Sequence, residues 1–167
     1  TGTGGLAIKQ NSTIVFTGDQ TYTGGTFVEA GTLILNGNAS TNTVTGDVTV
    51  TGGILEYGNA NDEQINSSST VTISSSTWVV GARGETINSL VMTDGLITKG
   101  GSSLIMNSSS SIENSSISII AGTASLSFNG LLQLGGSLIN YNARTAVPHP
   151  HLRANKTVSD IASYLLL

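Results

Sequence analysis

Few side chains in this 167-residue sequence could perform acid–base or metal chemistry. Both histidines lie in the segment His149-Pro150-His151, and Asp160 is the one carboxylate in the same region of the chain. A His-x-His pair needs further ligands before it can hold a metal ion such as zinc. We therefore interpret this segment as a proline-rich turn, and we predict neither a metal site nor a cofactor.

Carboxylates that could cleave a glycosidic bond must converge on one face of a fold. Asp62-Glu63 is the sole adjacent acidic pair considered, and neighbouring residues of a strand point to opposite faces. Arg83-Gly84-Glu85 is interpreted as a turn without a recognition role. The positions of four further carboxylates in the fold bear on the same question, and these are Asp19, Asp47, Asp94 and Glu113. No catalytic residue is predicted, and a glycan-active enzyme remains an alternative only if these carboxylates meet.

The elements that would position these groups are short strands. Aliphatic runs separated by Gly, Asn, Asp or Ser fill residues 1–140, and pairs such as Val48/Val50 and Val71/Ile73 alternate with hydroxyl residues. This alternation predicts one buried and one exposed face for each strand. The predicted strands are 13–17, 32–35, 47–51, 70–74, 77–80, 89–93 and 124–128. The sequence therefore indicates an all-β fold.

Internal repetition then predicts how the strands are arranged. Residues 30–35 resemble residues 52–57, and residues 94–107 resemble residues 129–140. Gly53 follows Gly31 by 22 residues, and Gly95 follows Gly53 by 42, which is twice 21. A repeat of about 20 residues with variable loop lengths is typical of stacked turns. We predict a parallel β-helix, or β-solenoid, of about six to seven rungs, where a rung is one turn of the chain.

Composition agrees with stacking and excludes several functions. Ser, Thr, Gly and Asn make up 80 of the 167 residues, and 10% are charged. Stacked rungs put like residues above one another, which suits hydroxyl and aliphatic ladders and disfavours charge. The net charge of −4, with six basic residues, offers no footprint for nucleic acid. No cysteine is present for disulfides, and no apolar run approaches the ~18 residues of a membrane span.

The composition changes at residue 141. No glycine follows Gly136, whereas both prolines and three of the six basic residues lie beyond Asn140. Thr157 and Asp160 form a capping-box pattern that predicts a short helix over residues 156–167. We therefore divide the chain into a β-helix region, 1–140, and a tail, 141–167. The tail could be an end cap, a connector to another domain or a frayed terminus.

Residues 18–33, GDQTYTGGTFVEAGTL, closely resemble the passenger-associated transport repeat of bacterial autotransporters. Gln20 stands where the family usually has Asn, and the repeat is present once. Residues 85–90, ETINSL, also resemble rung sequences common in such passengers. We interpret the motif as a structural corner of the β-helix first. Its matching residues are Gly18, Tyr22, Thr23, Gly24, Gly25, Thr26, Val28, Gly31, Thr32 and Leu33.

The resemblance implies a type V secretion passenger, which is a right-handed parallel β-helix exported through a translocator β-barrel of the same precursor. Such a region would be extracellular, either tethered to the outer membrane or released. The leading expectation is a non-enzymatic, virulence-associated adhesin that binds a host receptor or matrix component through the loops 59–69 and 107–115. The alternatives are a structural spacer or self-associating filament subunit, and a glycan-active β-helix enzyme.

Overall fold

A computed structural model describes residues 2–38, 42–58, 61–120 and 123–141. Short segments in which apolar and polar residues alternate form seventeen strands in this part of the chain. No helix occurs among these residues. The strands are β1 (Leu6–Ile8), β2 (Thr13–Phe16), β3 (Thr26–Val28), β4 (Gly31–Leu35), β5 (Val48–Val50), β6 (Gly53–Tyr57), β7 (Thr70–Ser74), β8 (Thr77–Gly81), β9 (Glu85–Ile87), β10 (Ser89–Thr93), β11 (Leu96–Lys99), β12 (Ser103–Met106), β13 (Ser110–Glu113), β14 (Ser116–Ile119), β15 (Ser125–Phe128), β16 (Leu132–Gly135) and β17 (Leu138–Tyr141).

The strands stack into three parallel sheets that run along a β-solenoid of about six turns. Sheet A has the order β1-β3-β5-β7-β10-β13-β16, and sheet B has the order β2-β4-β6-β8-β11-β14-β17. Sheet C contains β9, β12 and β15. Each strand pairs with its equivalent one rung away, so the backbone hydrogen bonds of the sheets join consecutive rungs. The prediction of an all-β parallel solenoid is confirmed.

Aliphatic ladders fill the interior between the sheets. In sheet A, Val28 pairs with Val50 and Val50 with Ile73, and all three side chains are fully buried. In sheet B, Leu55 lies in register with Trp78, whose ring meets that of Tyr57 edge to face at a centroid distance of 6.0 Å. Each fully buried aliphatic side chain contributes roughly 1.5–3 kcal/mol to the free energy of folding. These ladders therefore supply the main stabilisation of the solenoid.

The corner between sheets A and B is a stack of left-handed backbone positions. Successive rungs place Ser75, Asp94, Asn114 and Gly136 there with φ angles of 48°, 52°, 44° and 58°. Gly136 and Asn114 are residue types that adopt this conformation readily, and Ser75 and Asp94 adopt it as well. The residue after each is Ser76, Gly95, Ser115 or Ser137, and the serine hydroxyls take part in hydrogen bonds of the corner. The Ser115 hydroxyl accepts a hydrogen bond from the Gly95 N–H at 3.0 Å.

The seven strands predicted by range agree with the structure to within one residue at each end, and 70–74 and 89–93 coincide with β7 and β10. Gly31 pairs with Gly53 in register, and β8 separates Gly53 from Gly95, as the 22- and 42-residue spacings predict. The similarity of 94–107 to 129–140 does not reflect equivalent positions, because β11 belongs to sheet B and β16 to sheet A. The two segments look similar because a short strand meets Gly-Gly in both, at the end of β11 in sheet B and at the end of β16 in sheet A.

One further segment differs from the prediction. Segment 107–115 is not a long loop, because it contains β13, which pairs with both β10 and β16. Its serine-rich sequence conceals an alternation in which Ile112 points inward. Strand β17 ends at Tyr141, the last described residue, so the division of the chain at residue 140 stays a prediction. Residues 142–167, including His149, His151, Asp160 and the predicted helix 156–167, lie outside the described residues.

Candidate functional site

The side of the solenoid that is covered by neither sheet A nor sheet B, which we call the third side, is irregular in the earlier rungs and a regular sheet in the later ones. In the earlier rungs the described part of this side contains one parallel bridge, Val44 to Ile65, whereas sheet C begins with β9. At this change of cross-section, polar side chains enter the interior. Thr43, Gln64, Glu85 and Lys99 are each 0–1% exposed. We call Thr43, Tyr57, Gln64 and Glu85 the buried polar network.

Glu85 is the centre of this network. As the first residue of β9 it shares the inward face with Ile87, and its carboxyl points back toward the preceding rung. One carboxyl oxygen accepts hydrogen bonds from the Tyr57 hydroxyl and, at 2.8 Å, from the Gln64 backbone N–H. The Ile65 N–H lies 3.4 Å from both carboxyl oxygens. The carboxyl therefore satisfies backbone donors of the irregular segment that precedes sheet C.

Gln64 extends the network to the rung before. Its side-chain oxygen accepts hydrogen bonds from the Thr43 hydroxyl at 2.6 Å and from the Gly37 N–H at 2.8 Å. Its side-chain nitrogen donates to the Asn61 carbonyl at 3.1 Å. Because buried amides must be paired to be tolerated, this arrangement fixes the loops 36–46 and 58–69 against each other within their described residues.

Burial changes the acid–base behaviour of two members of the network. It raises the pKa of Glu85 to about 8, with the neighbouring Glu63 charge acting in the same direction and the hydrogen bonds from Tyr57 and the backbone opposing it. Burial, assisted by the charge of Glu85, also raises the pKa of Tyr57 well above its ordinary value. Both groups are therefore stabilised in their protonated forms around neutral pH.

Lys99 occupies an inward position at the end of β11. Its side chain is fully buried, and the three N–H groups of its ammonium are shared among the carbonyl oxygens of Arg83, Gly100, Gly101 and Gly81 at 2.6, 2.6, 3.1 and 3.3 Å. We call these four oxygens the carbonyl cage. The pairing of β8 with β11 is irregular at Thr98/Lys99, which lets the chain turn around the ammonium. Burial lowers the pKa of Lys99 to about 8, and the charge of Asp62 opposes this shift.

The six carboxylates considered from the sequence do not form one cluster. Asp47 accepts the Thr70 N–H, and Asp62 accepts the Gly84 N–H, each at 2.8 Å. Glu63 accepts both the N–H and the hydroxyl of Thr86. Asp19 lies in the irregular segment before β3, Asp94 at the corner between sheets A and B, and Glu113 at the end of β13. Within the described residues, no group of three or more His, Cys, Asp or Glu could hold a metal ion.

The ten residues that match the transport-repeat pattern form a corner and two strands. Gly18, Tyr22, Thr23, Gly24 and Gly25 precede β3, and the Tyr22 hydroxyl lies 2.6 Å from the Thr26 hydroxyl. A Cβ on Gly24 would lie 2.6 Å from the Gly4 backbone, so only glycine permits this approach of the two rungs. The remaining motif residues lie in β3 and β4 and are Thr26, Val28, Gly31, Thr32 and Leu33.

The comparisons with known proteins do not assign a family. A scan against protein-family models finds no match, and searches of curated proteins and of solved structures find none either. The resemblance to autotransporter passengers therefore remains a prediction from the residues. Across the described ranges, no helix is long and apolar enough to cross a membrane.

Sequence reasoning did not identify the buried polar network or Lys99. The sequence predicts a turn at Glu85 and no role for Lys99, because charged residues are rarely buried unless they are paired. A signal was nevertheless present in the alternation of each strand. Lys99 follows the buried Ile97 by two positions, and Glu85 precedes the buried Ile87 by two. Strand periodicity of 2 therefore places both charged side chains on inward faces.

Proposed function

We propose that this chain is a non-enzymatic passenger region that acts in adhesion, through contact with a host receptor or a matrix component. The observation that carries the proposal lies on the third side of the solenoid, where described residues of the segments 36–46 and 58–69 are hydrogen-bonded to each other. Asn42 donates from its side chain to the carbonyls of Glu63 and Ile65 at 3.0 and 3.1 Å. Loops that are already ordered lose less entropy on binding a partner than free loops do.

The resemblance at residues 18–33 supports this proposal from a second direction. A passenger of this kind would be exported through a translocator β-barrel of the same precursor, and it would act at the cell surface or after release. A parallel solenoid suits such a role because each rung contacts only its neighbours, so loops can vary in length without disturbing the stack.

The distribution of carboxylates favours adhesion over glycan cleavage. Hydrolysis of a glycosidic bond commonly uses two carboxyl groups that flank the bond. Asp47, Asp62 and Glu63 each accept hydrogen bonds from an adjacent rung, and Glu85 is 1% exposed. We therefore propose that these carboxyl groups are structural.

A self-associating spacer is a second candidate, and the outer face of sheet B favours it. Val15, Ile54, Leu96 and Leu138 on this face are 38–58% exposed. Glu56 is the one ionisable residue among its outward positions, which are Thr13, Val15, Thr32, Ile34, Ile54, Glu56, Thr77, Val79, Leu96, Thr98, Ser116, Ser118, Leu138 and Asn140. Because this face carries so little charge, electrostatic repulsion would not oppose its contact with the same face of a second copy.

Binding of the full chain to cultured host cells tests the adhesion proposal. We expect saturable binding of the fluorescently labelled protein, and we expect Ser67→Lys in the loop 58–69 to weaken it. Ser109→Lys, which adds the same charge in an exposed turn of a later rung, is the matched control. Binding that does not saturate would contradict adhesion. Concentration-dependent assembly in sedimentation velocity, abolished by Leu96→Lys, would instead support the spacer.

A further inference from the structure

The ammonium of Lys99 has the surroundings of a bound ion. It is fully buried, and its four nearest partners are backbone carbonyls rather than a carboxylate. Two of the oxygens belong to one rung, at Gly81 and Arg83, and two to the next rung, at Gly100 and Gly101. The cage therefore spans a rung boundary, at the point where sheet C begins.

The backbone that forms the cage is specialised. Gly81 and Gly101 have φ angles of 61° and 27°, and the Gly100 N–H donates to the Gly81 carbonyl at 2.6 Å. Left-handed glycines turn carbonyl groups in directions that ordinary strand residues cannot reach without strain. Four carbonyl oxygens that face one point concentrate negative partial charge there, which a positive charge at the centre neutralises.

We propose that the carbonyl cage is a binding site for a monovalent cation of ammonium or potassium size, which the chain fills with its own lysine. Two of the four oxygen distances, 3.1 and 3.3 Å, exceed the 2.3–2.6 Å that calcium takes, and all four exceed the 2.0–2.1 Å that magnesium takes. Rings of backbone carbonyls are also the groups that replace the hydration shell of potassium in ion channels. With no carboxylate in contact, the cage offers partial charges that suit a single positive charge.

The first test uses the absence of cysteine, which makes the thiol of a Lys99→Cys protein unique. The protein is alkylated in denaturant and then refolded, once with an aminoethyl group and once with a propyl group. The aminoethyl adduct restores an ammonium at almost the same reach as lysine, whereas the propyl adduct has the same length without charge. We expect the aminoethyl adduct to recover a Tm close to that of the unsubstituted chain and the propyl adduct to remain well below it. Equal Tm values for the two adducts would overturn the proposal.

The second test asks whether the site accepts a free ion. In Lys99→Ala the four carbonyls lose their cation, so ammonium or potassium chloride should stabilise the protein more than choline chloride does. A site with a Kd near 0.1 M would raise the Tm by about 3–6 °C at 1 M ion. Lys9→Ala is the matched control, because Lys9 is exposed and pairs with Glu29 at 3.5 Å. An equal response of both variants to all three salts would overturn the proposal.

Discussion

The hydroxyl of Tyr57 donates a hydrogen bond to the carboxyl of Glu85, which lies 28 residues further along the chain. The bond joins sheet B to the first strand of sheet C inside the solenoid, at the boundary where the cross-section changes. Both side chains are buried, so neither can exchange its partner for water. The free energy of unfolding should therefore depend on this pair more than on any exposed hydrogen bond.

Tyr57→Phe should lower the free energy of unfolding by about 1–3 kcal/mol, because it leaves a buried carboxyl oxygen with one donor fewer. Urea unfolding followed by the fluorescence of the single tryptophan, Trp78, measures this change. Tyr22→Phe is the control, since the Tyr22 hydroxyl contacts Thr26 in a partly exposed corner. A loss for Tyr57→Phe no larger than that of the control would count against a buried network.

Stability should fall as the pH rises from about 5 to 8. Burial raises the pKa of Glu85 from 4.5 to about 8, so between these values the folded chain holds a proton that the unfolded chain has released. The resulting stabilisation is complete below pH 4.5 and is lost as the pH passes through 8. Lys99 acts in the opposite direction above pH 8, because its pKa is lowered to about 8 from 10.5.

Glu85→Gln isolates this effect. The amide cannot ionise, and its oxygen can still accept the Gln64 N–H, so the decline between pH 5 and 8 should flatten. Urea unfolding at half-unit steps of pH gives the slope of unfolding free energy against pH for Glu85→Gln and for the unsubstituted chain. Glu56→Gln on the outer face of sheet B supplies the control. A Glu85→Gln protein with an unchanged slope would assign the pH dependence to other groups.

Ser115→Ala should cost about 1–3 kcal/mol of unfolding free energy, because it leaves the Gly95 N–H unpaired in a buried corner. Ser111→Ala on the outward face of β13 should change stability by less than about 0.5 kcal/mol. Thermal unfolding compares the two variants directly. Similar losses at both positions would mean that the corner serines contribute no more than surface hydroxyls.

Two glycines within residues 18–33 should differ sharply in their tolerance of alanine. Gly31 has a φ angle of 79°, and a Cβ there would lie 2.3 Å from the Ser12 carbonyl oxygen. Gly31→Ala should therefore lower stability by at least about 2 kcal/mol. No atom lies within 4 Å of a Cβ on Gly18, so Gly18→Ala should be close to neutral. Equal effects on the Tm would show that the motif is not fixed by the corner geometry.

Alternation and spacing were sufficient to predict the strands and their stacking, because pairs such as Val48/Val50 report directly which face is buried. They could not predict Glu85 or Lys99, because burial of a charge depends on partners contributed by other rungs. The oxygens around Lys99 are backbone carbonyls, which every residue type has, so the sequence cannot indicate them. Segment 107–115 was misinterpreted because serine is frequent in loops, although in a stacked strand it can equally occupy an outward position.

The direction of the sheet hydrogen bonds has a mechanical consequence. They all join neighbouring rungs, so tension applied along the solenoid axis stretches each rung boundary in series rather than shearing several at once. A chain built in this way lengthens by releasing one rung at a time from an end, at low force. The boundary that carries both the Tyr57–Glu85 hydrogen bond and a backbone anchored by Asp62 and Glu63 should resist extension more than its neighbours, and it would divide the stretched rod into two segments.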